Sequence, residues 1–161
     1  MLPEQQSSLI SLIGQAVEAV APGNQPNIVL ERPKAANHGD VATTVALQLA
    51  RPLKRNPRDL AQALVEALMA QPEAAALIER IEVAGPGFIN IHLTARAKQV
   101  VVRAIQEAGA GFGRKPRHGD RLMVEFVSAN PTGPLHVGHA RQAALGDALC
   151  RLFEAAGWDV T

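Results

Sequence analysis

The chain has 161 residues, of which 47% are hydrophobic and 19% are charged, and its formal net charge is +1. These proportions favour a folded core over disorder, and so small a net charge does not mark the whole chain as a nucleic-acid binder. The single cysteine, Cys150, excludes an internal disulfide framework. No apolar run is long enough to span a membrane and no signal peptide is recognisable, so we expect a cytoplasmic protein.

Charge is nevertheless concentrated locally in two basic clusters. The first consists of Arg51, Lys54, Arg55 and Arg58, and the second of Arg114, Lys115, Arg117 and His118. Each cluster is either a solvated edge or a surface for phosphate groups, and the sequence alone leaves both interpretations open.

The first 80 residues contain helical patterns separated by turn residues. Apolar spacing, capping residues and the positions of proline and glycine define the elements. They predict a helix over residues 9–20, a strand over 27–30, a loop over 34–40, a helix capped by Asp40 that runs through Val45, Leu47 and Leu49, and a helix that opens at 56–59.

Residues 81–93 alternate in polarity, which predicts strands broken by a turn at 85–87. The odd positions form an apolar face, whereas Phe88, Asn90 and His92 share the opposite, polar face. An aromatic ring beside an amide and an imidazole on an exposed face can stack one unpaired base and bind its edge. The alternative is that a helix of the same domain covers Phe88.

A further helix is predicted over 94–108, capped by Thr94, and the glycine-rich and basic residues that follow it indicate a linker. We therefore divide the chain into a domain over 1–112, a linker over 113–120 and the beginning of a second domain over 121–161.

The segment from Leu122 to His139 has the features of a functional site. An apolar run over 122–127, interrupted by Glu125, predicts a buried parallel strand; 130–134 predicts a turn, and a helix follows from Val137 until Gly157. His136 and His139 flank the helix N-terminus, where unpaired N–H groups favour phosphate. Alternatives are a surface histidine with a capping one, or a metal site, which no HExxH pattern, cysteine pair or carboxylate cluster supports.

The sequence EFVSANPTGPLHVGHAR, from Glu125 to Arg141, closely resembles the ATP-binding signature of class I aminoacyl-tRNA synthetases, in the form found in arginyl-tRNA synthetases. The resemblance implies ATP, with Mg²⁺ on its phosphates, L-arginine and an arginine-specific tRNA as partners. It implies that His136 and His139 are catalytic and that Pro134 and Gly138 join them in binding ATP. It also implies that Glu125, Ser128 and Asn130 hold arginine.

A buried carboxylate such as Glu125 needs a cation, which substrate arginine would supply, although a pair with Arg141 is the alternative. The run AGPGFINI, from Ala84 to Ile91, resembles part of the synthetase N-terminal domain that contacts the tRNA D-loop. This resemblance assigns Phe88 and Asn90 to tRNA binding.

The resemblance implies an α+β RNA-binding domain followed by the truncated start, one strand and one helix, of an α/β Rossmann-like catalytic domain. We therefore expect an arginine–tRNA ligase, monomeric at full length, of which these 161 residues alone are inactive. Two alternatives are a free-standing tRNA-binding module and a small nucleotidyltransferase, which shares the two-histidine motif.

Overall fold

The structure is a computed structural model that describes residues 1–33, 35–130 and 132–161. Its contacts divide the chain into two compact units, Met1–Ala104 and Ile105–Thr161. The elements of the first unit are α1 (Pro3–Val20), β1 (Val41–Thr43), α2 (Val45–Leu53), α3 (Pro57–Met69), α4 (Ala74–Leu77), β2 (Ile78–Ala84), β3 (Phe88–Leu93) and the start of α5 (Ala95–Ala108). Those of the second are β4 (Arg121–Leu122), α6 (Val137–Ala155) and β5 (Asp159–Val160).

The first unit contains an antiparallel sheet of order β1-β3-β2, against which α2 and α3 pack, while α1 packs on α3. Ile91 lies in register with Val41 on one side and Ile81 on the other. Its side chain is fully buried together with Leu9, Val45 and Leu60. The core therefore joins the central strand to three helices, as the apolar patterns of α1, α3 and the hairpin predict.

Three of the predicted local structures in this unit are confirmed. Helix α3 starts at Pro57, and the Asn56 side chain accepts the Arg58 N–H at 2.8 Å. Residues 85–87 form the turn between β2 and β3. The Thr94 hydroxyl accepts the Ala97 N–H at 3.1 Å and so caps α5.

The predictions for residues 27–45 are partly wrong. Residues 27–30 are not a strand, because the only ladder contact there is an isolated bridge between Glu31 and Ala42. Asp40 does not cap α2, since β1 intervenes; its carboxylate accepts instead from the Leu93 N–H at 2.9 Å and pairs with Lys98 at 2.8 Å. Within the predicted loop, Ala36–His38 form a 3₁₀ turn, and Lys34 lies outside the described residues.

In the second unit, β4 pairs in parallel with β5, and α6 connects them. The predicted strand over 122–127 is wrong in length and burial, because only Arg121–Leu122 are strand and Met123 is 78% exposed. Past Leu122 one further backbone bond, from the Val124 N–H to the Thr161 carbonyl, continues the pairing, and Val127 then turns the chain with a φ of 57°. Helices cover the faces of a parallel sheet, whereas a neighbouring strand such as β5 covers only an edge, so β5 cannot bury both faces of this segment.

The predicted helix from Val137 and its termination at Gly157 are confirmed. The segment interpreted as a linker is bonded to the end of this helix: the Lys115 N–H donates to the Ala155 carbonyl at 2.8 Å, and the His118 N–H donates to the Gly157 carbonyl at 3.2 Å. Gly157 has a φ of 97°, and a side chain there would overlap the Pro116 carbonyl. Glycine is therefore required where this segment crosses the helix end.

Candidate functional site

The two histidines of the motif cap helix α6 reciprocally. His136 Nδ1 accepts the Gly138 N–H at 3.1 Å, and His139 Nδ1 accepts the His136 N–H at 3.1 Å. The two rings stack with their centroids 3.9 Å apart. Because each Nδ1 atom accepts a backbone N–H, the ring nitrogen that is left to donate to a ligand is Nε2. The site thus presents two Nε2–H donors beside a helix N-terminus.

The absence of a side chain at Gly138 makes room for this arrangement. A methyl group at Gly138 would lie 2.9 Å from His136 Cε1 and 3.0 Å from its Nδ1. The missing side chain therefore leaves room for the His136 ring.

A second feature of this unit is a cavity of about 380 Å³ between the segment 124–128 and one side of α6. Glu125 and Ser128 line it, and the Ser128 hydroxyl donates to Glu125 Oε1 at 2.5 Å. The wall contributed by α6 consists of Gln142, Leu145, Gly146 and Leu149. A carboxylate at one side and an apolar wall at the other suit a cation on an aliphatic stem.

The expectation that Glu125 is buried is wrong, because its side chain is exposed at the cavity. The alternative pair with Arg141 is not formed either, since none of the ion pairs within residues 1–33, 35–130 and 132–161 joins these two side chains. The carboxylate consequently remains available for a ligand.

The other predicted site residues of this unit do not line the cavity. Asn130 and Pro134 are exposed on the connection that leads to α6, and His136 and His139 lie at the helix start. Pro131, within the predicted turn, lies outside the described residues. The structure therefore brings Glu125 together with Ser128, and His136 together with Gly138 and His139, as two groups.

The polar face of the hairpin in the first unit is less exposed than predicted. Phe88 is 41% exposed, so no helix of the unit covers it fully, but Asn90 is only 5% exposed. Asn90 is buried because β3 is the central strand and Ala42 and Glu82 flank it on the two neighbouring strands. Only Phe88 of this pair offers a broad surface for stacking.

An ion-pair network occupies the far end of the same face. Arg80 pairs with Glu82 at 2.8 Å and lies 3.3 Å from His92 Nδ1. His92 Nε2 lies 3.4 Å from Glu82 Oε1 but outside hydrogen-bonding geometry. A base that binds His92 would therefore have to compete with Arg80 and Glu82 for its imidazole ring.

Sequence reasoning missed the contacts that place these groups. A side chain at Gly146 would overlap the Phe126 ring, so this glycine lets the segment 124–128 approach α6. The signal was a glycine inside an alanine-rich helix, which indicates close packing when a helix continues through it. At the hairpin turn, a methyl group on Gly87 would lie 2.8 Å from the Pro57 carbonyl oxygen.

The described part of the chain holds neither a cluster of metal ligands nor a membrane-spanning helix. Within it, no group of three or more His, Cys, Asp or Glu side chains could hold a metal ion. None of the helices that the structure describes is both long and apolar enough to cross a membrane.

Comparison with known proteins matches both units to one family. Residues 7–93 match the arginyl tRNA synthetase N terminal domain, and residues 101–161 match the catalytic domain of the class I (R) tRNA synthetases. Arginine–tRNA ligases of Bordetella avium and Bordetella pertussis are 65% and 63% identical over all 161 residues. The chain spans 29% of the length of each.

Two solved structures have the same fold. The arginyl-tRNA synthetase of Thermus thermophilus is 30% identical, with a TM-score of 0.58 over 96% of this chain and 24% of that protein. The arginyl-tRNA synthetase of Plasmodium falciparum, 16% identical, supports the fold with a TM-score of 0.66 over 96% of this chain and 29% of that protein. The resemblance drawn from the two motifs is confirmed, and the chain belongs to the arginyl-tRNA synthetase family.

Proposed function

We propose that the protein is an arginine–tRNA ligase, which activates arginine with ATP and transfers it to an arginine-specific tRNA. The observation that carries the proposal is that residues 124–149 contain both a carboxylate-lined cavity and a two-histidine helix cap, in the part of the chain that matches the class I catalytic domain.

Glu125, Ser128 and Asn130 are the proposed arginine ligands. The guanidinium of arginine is a planar cation that pairs with a carboxylate in two parallel hydrogen bonds. Glu125 already holds the Ser128 hydroxyl at 2.5 Å, which fixes the orientation of its carboxylate. Leu145 and Leu149 on α6 would contact the methylene groups of the substrate. Asn130 is exposed beside this segment and would reach the substrate amino acid from outside the cavity.

The proposed ATP site consists of Pro134, His136, Gly138 and His139. In the first step a carboxylate oxygen of arginine attacks the α-phosphorus, pyrophosphate leaves, and arginyl-adenylate forms. Two Nε2–H donors stabilise the charge that develops on the phosphoryl oxygens, and each such donor contributes about 3 kcal/mol when well placed. The Gly138 N–H donates to His136 Nδ1 at 3.1 Å. A phosphate oxygen that accepts a hydrogen bond from this N–H must displace His136 Nδ1. Mg²⁺ would accompany the nucleotide and neutralise its phosphates.

In the second step a hydroxyl of the terminal tRNA ribose attacks the activated carbonyl carbon, and AMP leaves. The hairpin of the first unit is the proposed contact with the D-loop of the same tRNA: Phe88 stacks on a base and Asn90 binds its edge. The exposure of Phe88 supports its proposed role in stacking. Asn90 is only 5% exposed, so a base must approach the sheet closely for Asn90 to bind its edge.

The remaining assignments follow from this function. We propose a tRNA-binding domain over 1–112, a linker over 113–120 and the start of a Rossmann-like catalytic domain over 121–161; parallel pairing of β4 with β5 through α6 supports the last. Charging of tRNA for protein synthesis implies a cytoplasmic location, and we propose that the full-length protein is a monomer.

The proposal is tested by arginine-dependent exchange of pyrophosphate into ATP, with tRNA present, by a protein of the same length as the relatives. Glu125→Gln removes the charge that holds the substrate guanidinium. We expect the KM for arginine to rise about 30-fold or more, since loss of one partner of such a pair costs about 2 kcal/mol or more. Glu154→Gln, an exposed carboxylate on α6, is the matched control and should leave the KM unchanged.

An unchanged KM in Glu125→Gln would contradict the assignment of Glu125 to arginine. Absence of exchange in the unmodified protein, with tRNA binding retained, would make a free-standing tRNA-binding module the better description. Exchange that depends on ATP but not on arginine or tRNA would point to a nucleotidyltransferase.

A further inference from the structure

The first basic cluster has no carboxylate partners among the described residues. Arg51, Lys54, Arg55 and Arg58 are exposed at the junction of α2 and α3, and none of them takes part in the ion pairs of the described residues. Arg80, Lys98, Arg117 and Arg151, by contrast, each pair with a carboxylate. Four unneutralised cations within eight residues form a surface suited to a polyanion. We call these four residues the basic corner.

The backbone of the basic corner is fixed by hydrogen bonds. Lys54 ends α2 in the left-handed conformation with a φ of 49°, and the Arg55 N–H donates to the Ala50 carbonyl at 3.1 Å. The Arg58 N–H is bound by the Asn56 cap at 2.8 Å. These constraints hold the positions from which the four long side chains extend, so less ordering is needed when they bind a ligand.

The hairpin turn connects the basic corner to Phe88. Gly87, the residue before Phe88, approaches Pro57, the residue before Arg58, so closely that an added methyl group would lie 2.8 Å from the Pro57 carbonyl oxygen. From standard bond lengths, this contact places the Cα atoms of Phe88 and Arg58 no more than about 12 Å apart. An exposed aromatic ring and the cationic cluster therefore lie at the same end of the sheet.

We propose that the basic corner binds the sugar-phosphate backbone of the tRNA beside the nucleotide that stacks on Phe88. The proposal rests on the proposed function, in which Phe88 contacts tRNA, and adds the groups that neutralise the phosphates. Stacking rings flanked by cations are the combination that binds unpaired nucleotides. The second cluster fits this role less well, because Arg117 pairs with Asp159 at 2.6 Å and His118 with Asp120 at 2.9 Å.

The test measures how the affinity of the 161-residue chain for an arginine tRNA transcript falls with salt. Each phosphate contact contributes about 0.7 to 0.9 to the slope of log affinity against log salt concentration. Arg55→Gln/Arg58→Gln should make the slope shallower by about 1.5. The matched control is Arg114→Gln/Lys115→Gln, which removes two cations of the second cluster and should leave the slope unchanged. Circular dichroism establishes that each variant is folded.

Phe88→Ala separates failure of the inference from failure of the proposed function. It removes no charge, so it should lower the affinity about ten-fold or more and leave the slope unchanged. Weakening by Phe88→Ala, with an unchanged slope in Arg55→Gln/Arg58→Gln, overturns the basic corner alone. An affinity unaffected by Phe88→Ala, or no binding by the unmodified chain, overturns the tRNA platform and the inference with it. A slope change confined to the control variant assigns the phosphates to the second cluster and also overturns the inference.

Discussion

The two units of the chain bury their apolar residues very differently. All of the fully buried apolar side chains found in the described residues belong to the first unit, where they form one core between the sheet and its helices. In the second unit large apolar side chains are exposed, including Val137 at 86% and Leu152 at 66%. The first unit is held by its core, whereas the site residues of the second are held by hydrogen bonds at a helix end and by the close approach of Phe126 to Gly146.

The largest expected effect that distinguishes the units comes from shortening one side chain in each. Ile91→Ala leaves a cavity in a fully buried position and should lower the free energy of unfolding by about 2 to 5 kcal/mol. Leu152→Ala, on the exposed side of α6, should change it by about 0.5 kcal/mol or less. Urea unfolding followed by circular dichroism measures both. Equal losses would show that α6 is buried in a core.

A glycine substitution tests the one close contact that supports the cavity of the second unit. Gly146→Ala raises helix propensity by about 1 kcal/mol, but the new methyl group overlaps the Phe126 ring, and such overpacking costs about 1 to 3 kcal/mol. We expect net destabilisation of α6, measured by hydrogen exchange of its amides. In a Phe126→Gly background the sign should reverse, because the Phe126 Cβ, which would lie 2.6 Å from the added methyl group, is removed together with the ring.

Gly111→Ala is the control for this substitution, since nothing lies within 4 Å of its added methyl group and its φ is not positive. It should leave the exchange of the α6 amides unchanged. Slower exchange in Gly146→Ala with Phe126 still present would contradict the contact.

The smallest expected effect depends on pH. Burial acts to raise the pKa of the Asp40 carboxyl, but the hydrogen bonds from Lys98 and the Leu93 N–H outweigh it and lower the pKa below its usual value of 3.8. The ionised form therefore stabilises the fold above about pH 4, and this stability is lost as the pH falls through the lowered pKa.

Asp40→Asn should consequently cost about 1 kcal/mol at pH 7 and less at pH 2, because acid progressively protonates Asp40 in the unmodified protein. Unfolding in urea at the two pH values measures this difference. Glu79→Gln, at an exposed carboxylate outside this ion pair, is the matched control. An Asp40→Asn deficit that persists unchanged at pH 2 would assign the effect to packing instead of charge.

Local sequence signals predicted the parts of the fold that depend on neighbouring residues. The apolar spacing of α1, the Asn56-Pro57 start of α3 and the alternation along β3 all correspond to observed elements. The strand predicted over 122–127 failed because its burial depends on neighbouring strands, and the described chain gives it only β5. Asp40 failed as a cap because its partners, Leu93 and Lys98, are more than 50 residues away in the sequence.

In the candidate site, too, the sequence predicted the local features and missed the features that depend on packing. The sequence predicted the two-histidine motif and its position between a strand and a helix, because the motif is local. Three features of the site were not predicted because they depend on three-dimensional packing. They are the stacking of His136 on His139, the burial of Asn90 in the sheet and the approach of Phe126 to Gly146. Local sequence patterns do not predict such contacts.

The proposed function is tested most directly by the rate at which His139→Ala forms arginyl-adenylate, in a protein of the relatives' length with tRNA, arginine and ATP at saturation. Loss of one donor to the transferring phosphoryl group should lower this rate about 10²- to 10³-fold. Val137→Ala, which shortens the exposed side chain between the two histidines, should form the adenylate at the unmodified rate. Adenylate formation by His139→Ala at the unmodified rate would contradict the assignment of the two-histidine cap to catalysis.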